Sequence, residues 1–238
     1  MRYLIILPYI RAINESLETI TLALESINTF FMEDHEIIVA GERPDFVKDY
    51  PNVRWIYKPD ETKETNVNIV SQLYYMLKNY GQDYDCFIYW QDDIVAVNSF
   101  SIEDLCRTLA VDEEVITNRY TTNYYIRDCE YTAKKLLAEG YEPYSTRTHA
   151  PILFDKDDFI EMVDKYDMCH VPHDYIMMYS VQHEGEPTFI DPKENRWVTM
   201  VSGSHVPDLD LPLWICFTNA FDNKDIYNIV EQRIRELS

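Results

Sequence analysis

The sequence predicts an α/β protein, a mostly parallel sheet flanked by helices and followed by an irregular C-terminal half. Three observations carry that expectation. Short unbroken apolar runs recur at 3–7 (YLIIL), 36–40 (EIIVA), 53–57 (VRWIY) and 86–90 (CFIYW), and unbroken runs of this length suit strands covered on both faces. Stretches with helical apolar spacing separate them. The resulting order, β-α-β, a short link and again β-α-β, is the alternation that builds a parallel sheet.

Taken in order, residues 3–7 read as a buried strand. From Ile13, apolar residues fall at 13, 17, 20, 24, 27 and 31, the stripe of an amphipathic helix. Two strands follow at 36–40 and 53–57. Val67, Val70, Leu73, Tyr74 and Leu77 mark a second helix, which leads to 86–90, the most apolar strand. Beyond residue 100 the pattern changes. Ser101 to Ala110 reads as a capped helix, 115–126 is a Thr/Tyr/Asn-rich stretch with strand character, and helices are expected at 129–139, 157–166, 173–182 and 224–237. Pro187, Pro192, Pro207 and Pro212 make 183–222 loop-rich. No internal repeat and no Gly/Ser linker divides the chain, so one domain is the simplest reading.

Composition removes several functions. Glycine supplies only 5 of 238 residues, and neither G-x-x-x-x-G-K nor G-x-G-x-x-G occurs, which excludes the P-loop and the common dinucleotide fingerprint. The net charge is −21, spread over both halves with no basic stripe. An extended nucleic-acid or anionic-membrane surface is disfavoured on that ground. Five widely spaced cysteines without C-x-x-C fit neither a disulfide framework nor a zinc knuckle. His170 and His173 flank Val-Pro, which denies them the helical i, i+4 pairing of a zinc protease. The run Tyr3 to Leu7 is too short for a signal or membrane segment, so a cytoplasmic protein without a membrane span is expected.

In an open parallel sheet, ligands bind beyond the carboxyl ends of the strands. Just past the expected strands lie Pro8 to Arg11, Gly41 to Arg43, Lys58 to Asp60, and Gln91-Asp92-Asp93. Adjacent carboxylates repel unless a cation sits between them. Carboxylate oxygens suit Mg²⁺ or Mn²⁺, which in turn hold a diphosphate. Asp-Asp occurs twice, no more often than chance gives, so context must separate the pairs. Asp157-Asp158 falls in the first turn of an expected helix, where acids favour the dipole. Asp92-Asp93 leaves the central strand and reads either as a metal and diphosphate site or as a solvated strand end.

The run DYDCFIYWQDDIVAV resembles the D-x-D region of nucleotide-diphosphosugar transferases of the GT-A fold, and within it is similar to small phage-encoded and Stealth-like glycosyltransferases. His149-Ala-Pro151-x-x-Phe154-Asp155-Lys156 is similar to the H-x-P…K segment of that group, and His173-Asp174-Tyr175 opens a helix. Gln91 departs from a strict D-x-D. The resemblance implies a GT-A-like domain over 1–238, with a nucleotide-sugar half at 1–100 and an acceptor half at 101–238. It implies metal-dependent transfer of a sugar from a nucleotide-diphosphosugar to a hydroxyl acceptor. Pro8 and Arg11 would lie beside the nucleotide, Lys63, Asn66 and Asp92 near the phosphates, and Asp92, Asp93 and His205 around Mn²⁺ or Mg²⁺. Asp174 and His149 are the candidates for the base, and Lys193 is a further phosphate contact.

Blander roles stand beside these. Arg11 also reads as a surface residue, Asn66 as an N-cap, Asp174 as a helix-dipole partner, and His149 and His205 as loop histidines. The cluster Tyr120, Tyr124, Tyr125 and Tyr131 reads as core packing or as a stacking surface for a sugar or base. Two other functions stay open: sugar-phosphate transfer of the Stealth type, and a non-enzymatic acidic interaction protein. A glycan or small hydroxyl compound is the favoured acceptor. Hydroxymethylated DNA remains an alternative, because Arg11, Arg43, Lys58 and Lys63 cluster at the expected cleft edge.

Overall fold

The computed structural model describes residues 2–9, 19–59, 61, 65–106, 109–112, 114, 116, 124–146, 148–165, 187–191, 196–200, 209–210, 212–217 and 224–237, with backbone only at 65–66, 124–125 and 199–200. Strand β1 (Tyr3–Pro8) lies at the centre of a five-stranded sheet. Leu4 to Leu7 have no solvent exposure, and burying each such side chain stabilises by about 1.5–3 kcal/mol. On one side β1 runs parallel to β2 (His35–Ala40), in register from Tyr3–His35 to Pro8–Ala40, and β2 runs parallel to β3 (Val53–Ile56). On the other side β1 runs parallel to β4 (Cys86–Tyr89) from Leu4–Phe87 to Ile6–Tyr89. The sheet closes with an antiparallel edge strand that the sequence pattern does not announce, β7 (Ile152–Asp155). The order is therefore β3-β2-β1-β4-β7, a mixed and mostly parallel sheet.

Helices cover both faces, as the unbroken apolar strands require. Ile5 and Leu7 share one core with α1 (Thr19–Phe30) and α6 (Lys224–Leu237). Leu4 and Ile6 share the other with α2 (Thr65–Tyr80), α4 (Tyr124–Ala138) and α5 (Lys156–Lys165). A second sheet joins the first core. It contains β5 (Ile94–Ala96), β9 (Val198–Met200) and β10 (Trp214–Cys216) in the order β5-β10-β9, with β5 antiparallel to β10. Ser26 ties α1 to it, accepting from the Ala96 N–H at 3.0 Å. Phe100 lies between Trp90 and Trp214, with ring centroids 5.6 and 5.5 Å away.

Several expectations need correcting beyond residue 100. The helix expected over 101–110 is only α3 (Ile102–Leu105), opened by a capping box between Ser101 and Asp104. Leu109–Ala110 instead forms β6, parallel to β8 (Thr188–Phe189), because both residues are buried in that pairing. Residues 124–126, given strand character above, are the first turn of α4. That helix ends at Gly140, whose φ of 91° suits glycine, and the Tyr141 N–H reaches back to Leu136 O at 3.0 Å. The expected start at Ile13 and the helix at 173–182 fall outside the described residues. Among the described residues no helix is long and apolar enough to cross a membrane.

Candidate functional site

The chain runs outward from β1 to β2 and β3, and α2 then carries it back over β2 and β1 to β4. The order thus reverses between β1 and β4, and a crevice at their carboxyl ends is where such sheets bind ligands. Pro8 marks the divergence. The Tyr3 and Tyr9 N–H groups donate to β2 and its extension (Asp34 O and Ala40 O, both 2.9 Å), whereas Ile6 O accepts from Trp90 N at 3.0 Å. Even-numbered residues of β1 therefore face β4, and Pro8 stands where the next such N–H would be and has none. Beside it, Gly41 packs so closely on the Tyr9 backbone that no Cβ fits. Tyr9 is buried edge-on against Trp55, 6.0 Å between centroids.

Past β4 the chain turns at once. Gln91 O accepts from Ile94 N at 3.1 Å, which places Asp92 and Asp93 at the corner of a β-turn. Buried Trp90 clamps the turn by donating from Nε1 to Ile94 O at 2.8 Å. Asp93 is fixed twice to the end of β10: its carbonyl accepts from Phe217 N at 2.9 Å, and its Oδ2 accepts from the Cys216 thiol at 3.4 Å. The other oxygen, Oδ1, is shut off from water and has no partner among the described residues. An orphaned buried carboxylate oxygen costs about 1–3 kcal/mol or more. Burial holds the Asp93 carboxyl above the usual carboxylate range, while His149 and the Cys216 thiol pull it back. Neighbouring Tyr89 is pushed up by burial, against a Gln91 hydrogen bond and with the Asp93 and Asp92 charges adding to the rise.

The third member of the cluster comes from another part of the chain. His149, Asp93 and Cys216 each offer one ligand atom, and all three atoms lie within 4.8 Å of one another. His149 adopts a left-handed backbone conformation with φ of 49°, held between buried Thr148 and Ala150. Such a conformation in a non-glycine residue costs of order 1–3 kcal/mol and persists only where its surroundings impose it.

Of the residues singled out in the sequence, Pro8, Asp92 and Asp93 stand at one sheet edge, and Asp93 meets His149. Arg11, Lys63, Asp174, Lys193 and His205 lie outside the described residues. The Asn66 backbone is already helical within the first turn of α2, so it is not the N-cap. Asp157 and Asp158 lie in the first turn of α5, the helix position expected for them. Their N–H groups donate to Asp155 Oδ1 at 2.9 and 3.0 Å, and β7 sets Asp155 beside Cys86, at the opposite end of β4 from Asp93. Arg43 is paired with Asp49 at 2.6 Å and donates to Val47 O. Lys58 bonds Glu61 and Ser71, each at 2.8 Å. Tyr131 is 49% exposed and so is no core residue. Cys216 escaped the sequence reading, because its partners are remote: Asp93 is 123 positions away, and no local motif joins them. No protein-family model and no curated protein matches the chain.

Proposed function

We propose that this protein is a metal-dependent glycosyltransferase with a GT-A-like organisation, moving a sugar from a nucleotide-diphosphosugar to a hydroxyl acceptor. One observation carries the reading: an Asp-Asp turn directly past the carboxyl end of β4, with a buried carboxylate oxygen that has no partner among the described residues. A chain of net charge −21 repels a diphosphate unless a cation intervenes. The residues fit a divalent ion, since Asp93 presents an oxygen with no partner among the described residues and Asp92 adds negative charge in the same turn. Such an ion neutralises the diphosphate as it leaves.

The chain's own groups account for the rest. Pro8 withholds the next N–H that β1 would offer to β4, and Gly41 lets the backbone after β2 close on Tyr9, so backbone constraints shape the carboxyl end of β1. Acceptor attack needs a base in reach of the hydroxyl. His149 is drawn into the Asp93 cluster, which leaves that role to Asp174. The charges of Arg43 and Lys58 are matched by Asp49 and Glu61, which favours a glycan or small hydroxyl acceptor over hydroxymethylated DNA. Four cysteines among the described residues, none of them in a disulfide, suit a reducing, cytoplasmic setting.

The reading is tested by thermal shift over a panel of nucleotide-diphosphosugars, with and without divalent ions. A matching donor at about 100 times its Kd adds roughly 2.7 kcal/mol, and only with metal. Mass spectrometry of the products separates a released nucleoside diphosphate from the monophosphate of sugar-phosphate transfer. A panel in which no donor shifts melting with any divalent ion overturns the proposal.

A further inference from the structure

We infer that Asp93, His149 and Cys216 form a three-ligand site for a borderline transition ion of the zinc type, with a fourth position open to the crevice, and that this site rejects Mg²⁺. The inference rests on the proposed transferase in one respect only: that the ion bound here is the one the transfer uses.

The donor set decides the ion class. Mg²⁺ demands an octahedral shell of oxygens, and a thiol and an imidazole offer it little. Oxygen, nitrogen and sulfur together suit Zn²⁺ and its neighbours, and three protein ligands with an open fourth position is the pattern of catalytic zinc. The spacing agrees. Cys216 Sγ lies 3.4 Å from Asp93 Oδ2, close to the roughly 3.5 Å that separates sulfur and oxygen ligands on a tetrahedral ion with ordinary zinc bond lengths. The three donors are also set by independent constraints. The Gln91–Ile94 turn places Asp93, the pairing of Cys216 with Ile94 places Cys216 beside it, and the left-handed backbone at 149 sets the direction in which His149 leaves the chain.

Two features point to a ligand rather than to a hydrogen-bonded cluster complete in itself. Oδ1 of Asp93 is buried with no partner among the described residues, and His149, in the same cluster, holds a strained backbone conformation. Cys216 is fully buried, but Asp93 and His149 are partly exposed, so an ion reaches the thiol from their side. On binding, the proton that Cys216 now donates to Asp93 leaves to solvent, and the sulfur coordinates as thiolate.

Cobalt(II) titration of the purified protein tests this, because only a thiolate ligand gives a sulfur-to-cobalt charge-transfer band. The expected result is one Co²⁺ per chain with that band, full displacement by Zn²⁺, and no displacement by a large excess of Mg²⁺. Cys216→Ser should abolish the band and weaken Zn²⁺ binding by at least about 10–100-fold, the loss that even an outer partner of a metal ligand causes. His149→Ala should weaken binding similarly but keep the band. Melting of each variant confirms folding, and the wild-type spectrum stands by itself if a variant fails to fold. Cobalt bound without the band, a band that survives in Cys216→Ser, displacement by Mg²⁺, or no uptake each overturns the inference. The two proposals fail separately. A thiolate band with no donor binding keeps the site and sinks the transferase, whereas donor binding supported equally by Mg²⁺, with no band, does the reverse.

Discussion

Asp93 is held where burial makes its charge costly, and the His149 charge and the Cys216 thiol offset that cost only in part. Its backbone is already secured through Phe217 and through the turn from Gln91 to Ile94. The carboxylate therefore contributes little to folding, and its desolvation opposes it. Asp93→Asn removes the charge and keeps the shape. We expect the ion-free variant to melt no lower than the wild type, while stabilisation by Zn²⁺ or by metal plus donor disappears. Calorimetry with and without ion measures both. A variant that loses stability yet keeps metal-induced stabilisation would assign Asp93 a purely structural role.

Helix α5 and the loop before α2 separate structural carboxylates from the candidate site. Asp155 caps α5 through the N–H groups of Asp157 and Asp158. Asp155→Ala should cost about 1 kcal/mol, and it should leave ion and donor affinity unchanged because β7 places it at the far end of β4. Denaturant unfolding beside metal titration decides this; a loss of metal affinity would mean that the two sheet edges are coupled. At the other loop, hydrogen bonds from Lys58 and then Ser71 hold the Glu61 carboxyl below its usual range, with burial opposing them. A depressed acid contributes stability that is present above its unfolded pKa and is lost as pH falls through the folded value. Glu61 is largely exposed, so solvent screening keeps the effect within about 0.2–1 kcal/mol. Lys58→Met should lower stability at pH 7 by that order, and the difference from wild type should vanish as pH falls below the carboxylate range. A difference that persists in acid would trace to the Lys58 ammonium over the Tyr75 ring, 5.7 Å from its centroid, rather than to the pairing with Glu61.

At the scale of the molecule, a net charge of −21 sets the folded state against its own field. The described ion pairs, such as Arg54–Glu36 and Arg43–Asp49, offset it only locally. Raising ionic strength shortens the Debye length from about 30 Å at 0.01 M to about 10 Å at 0.1 M, which screens repulsion across the whole surface. The melting temperature should therefore rise with NaCl over that range. A fall would mean that surface ion pairs outweigh the long-range repulsion.

By itself the sequence determined the described elements up to about residue 90, β1, the described part of α1, β2, β3, α2 and β4. Apolar runs such as YLIIL and CFIYW and the stripe from Val67 to Leu77 are local patterns, and burial on both faces of a sheet gives them one favourable outcome. Asp92-Asp93 was legible for the same reason, as charge placed directly after the most apolar strand. The tertiary structure alone decided the rest. The antiparallel edge β7, the short pairings of β5, β6 and β8 to β10, and the meeting of Asp93 with His149 and Cys216 depend on contacts between distant parts of the chain, and a strand of two to four residues leaves no period to read. Pro8 was visible as a strand end, but its meaning came from register, since only the pairing of β1 with β4 shows which N–H is missing. Cys216 sat in the sequence as one of five widely spaced cysteines until β10 aligned it with Ile94, because a donor set assembled from three remote segments is written in the topology and not in any spacing.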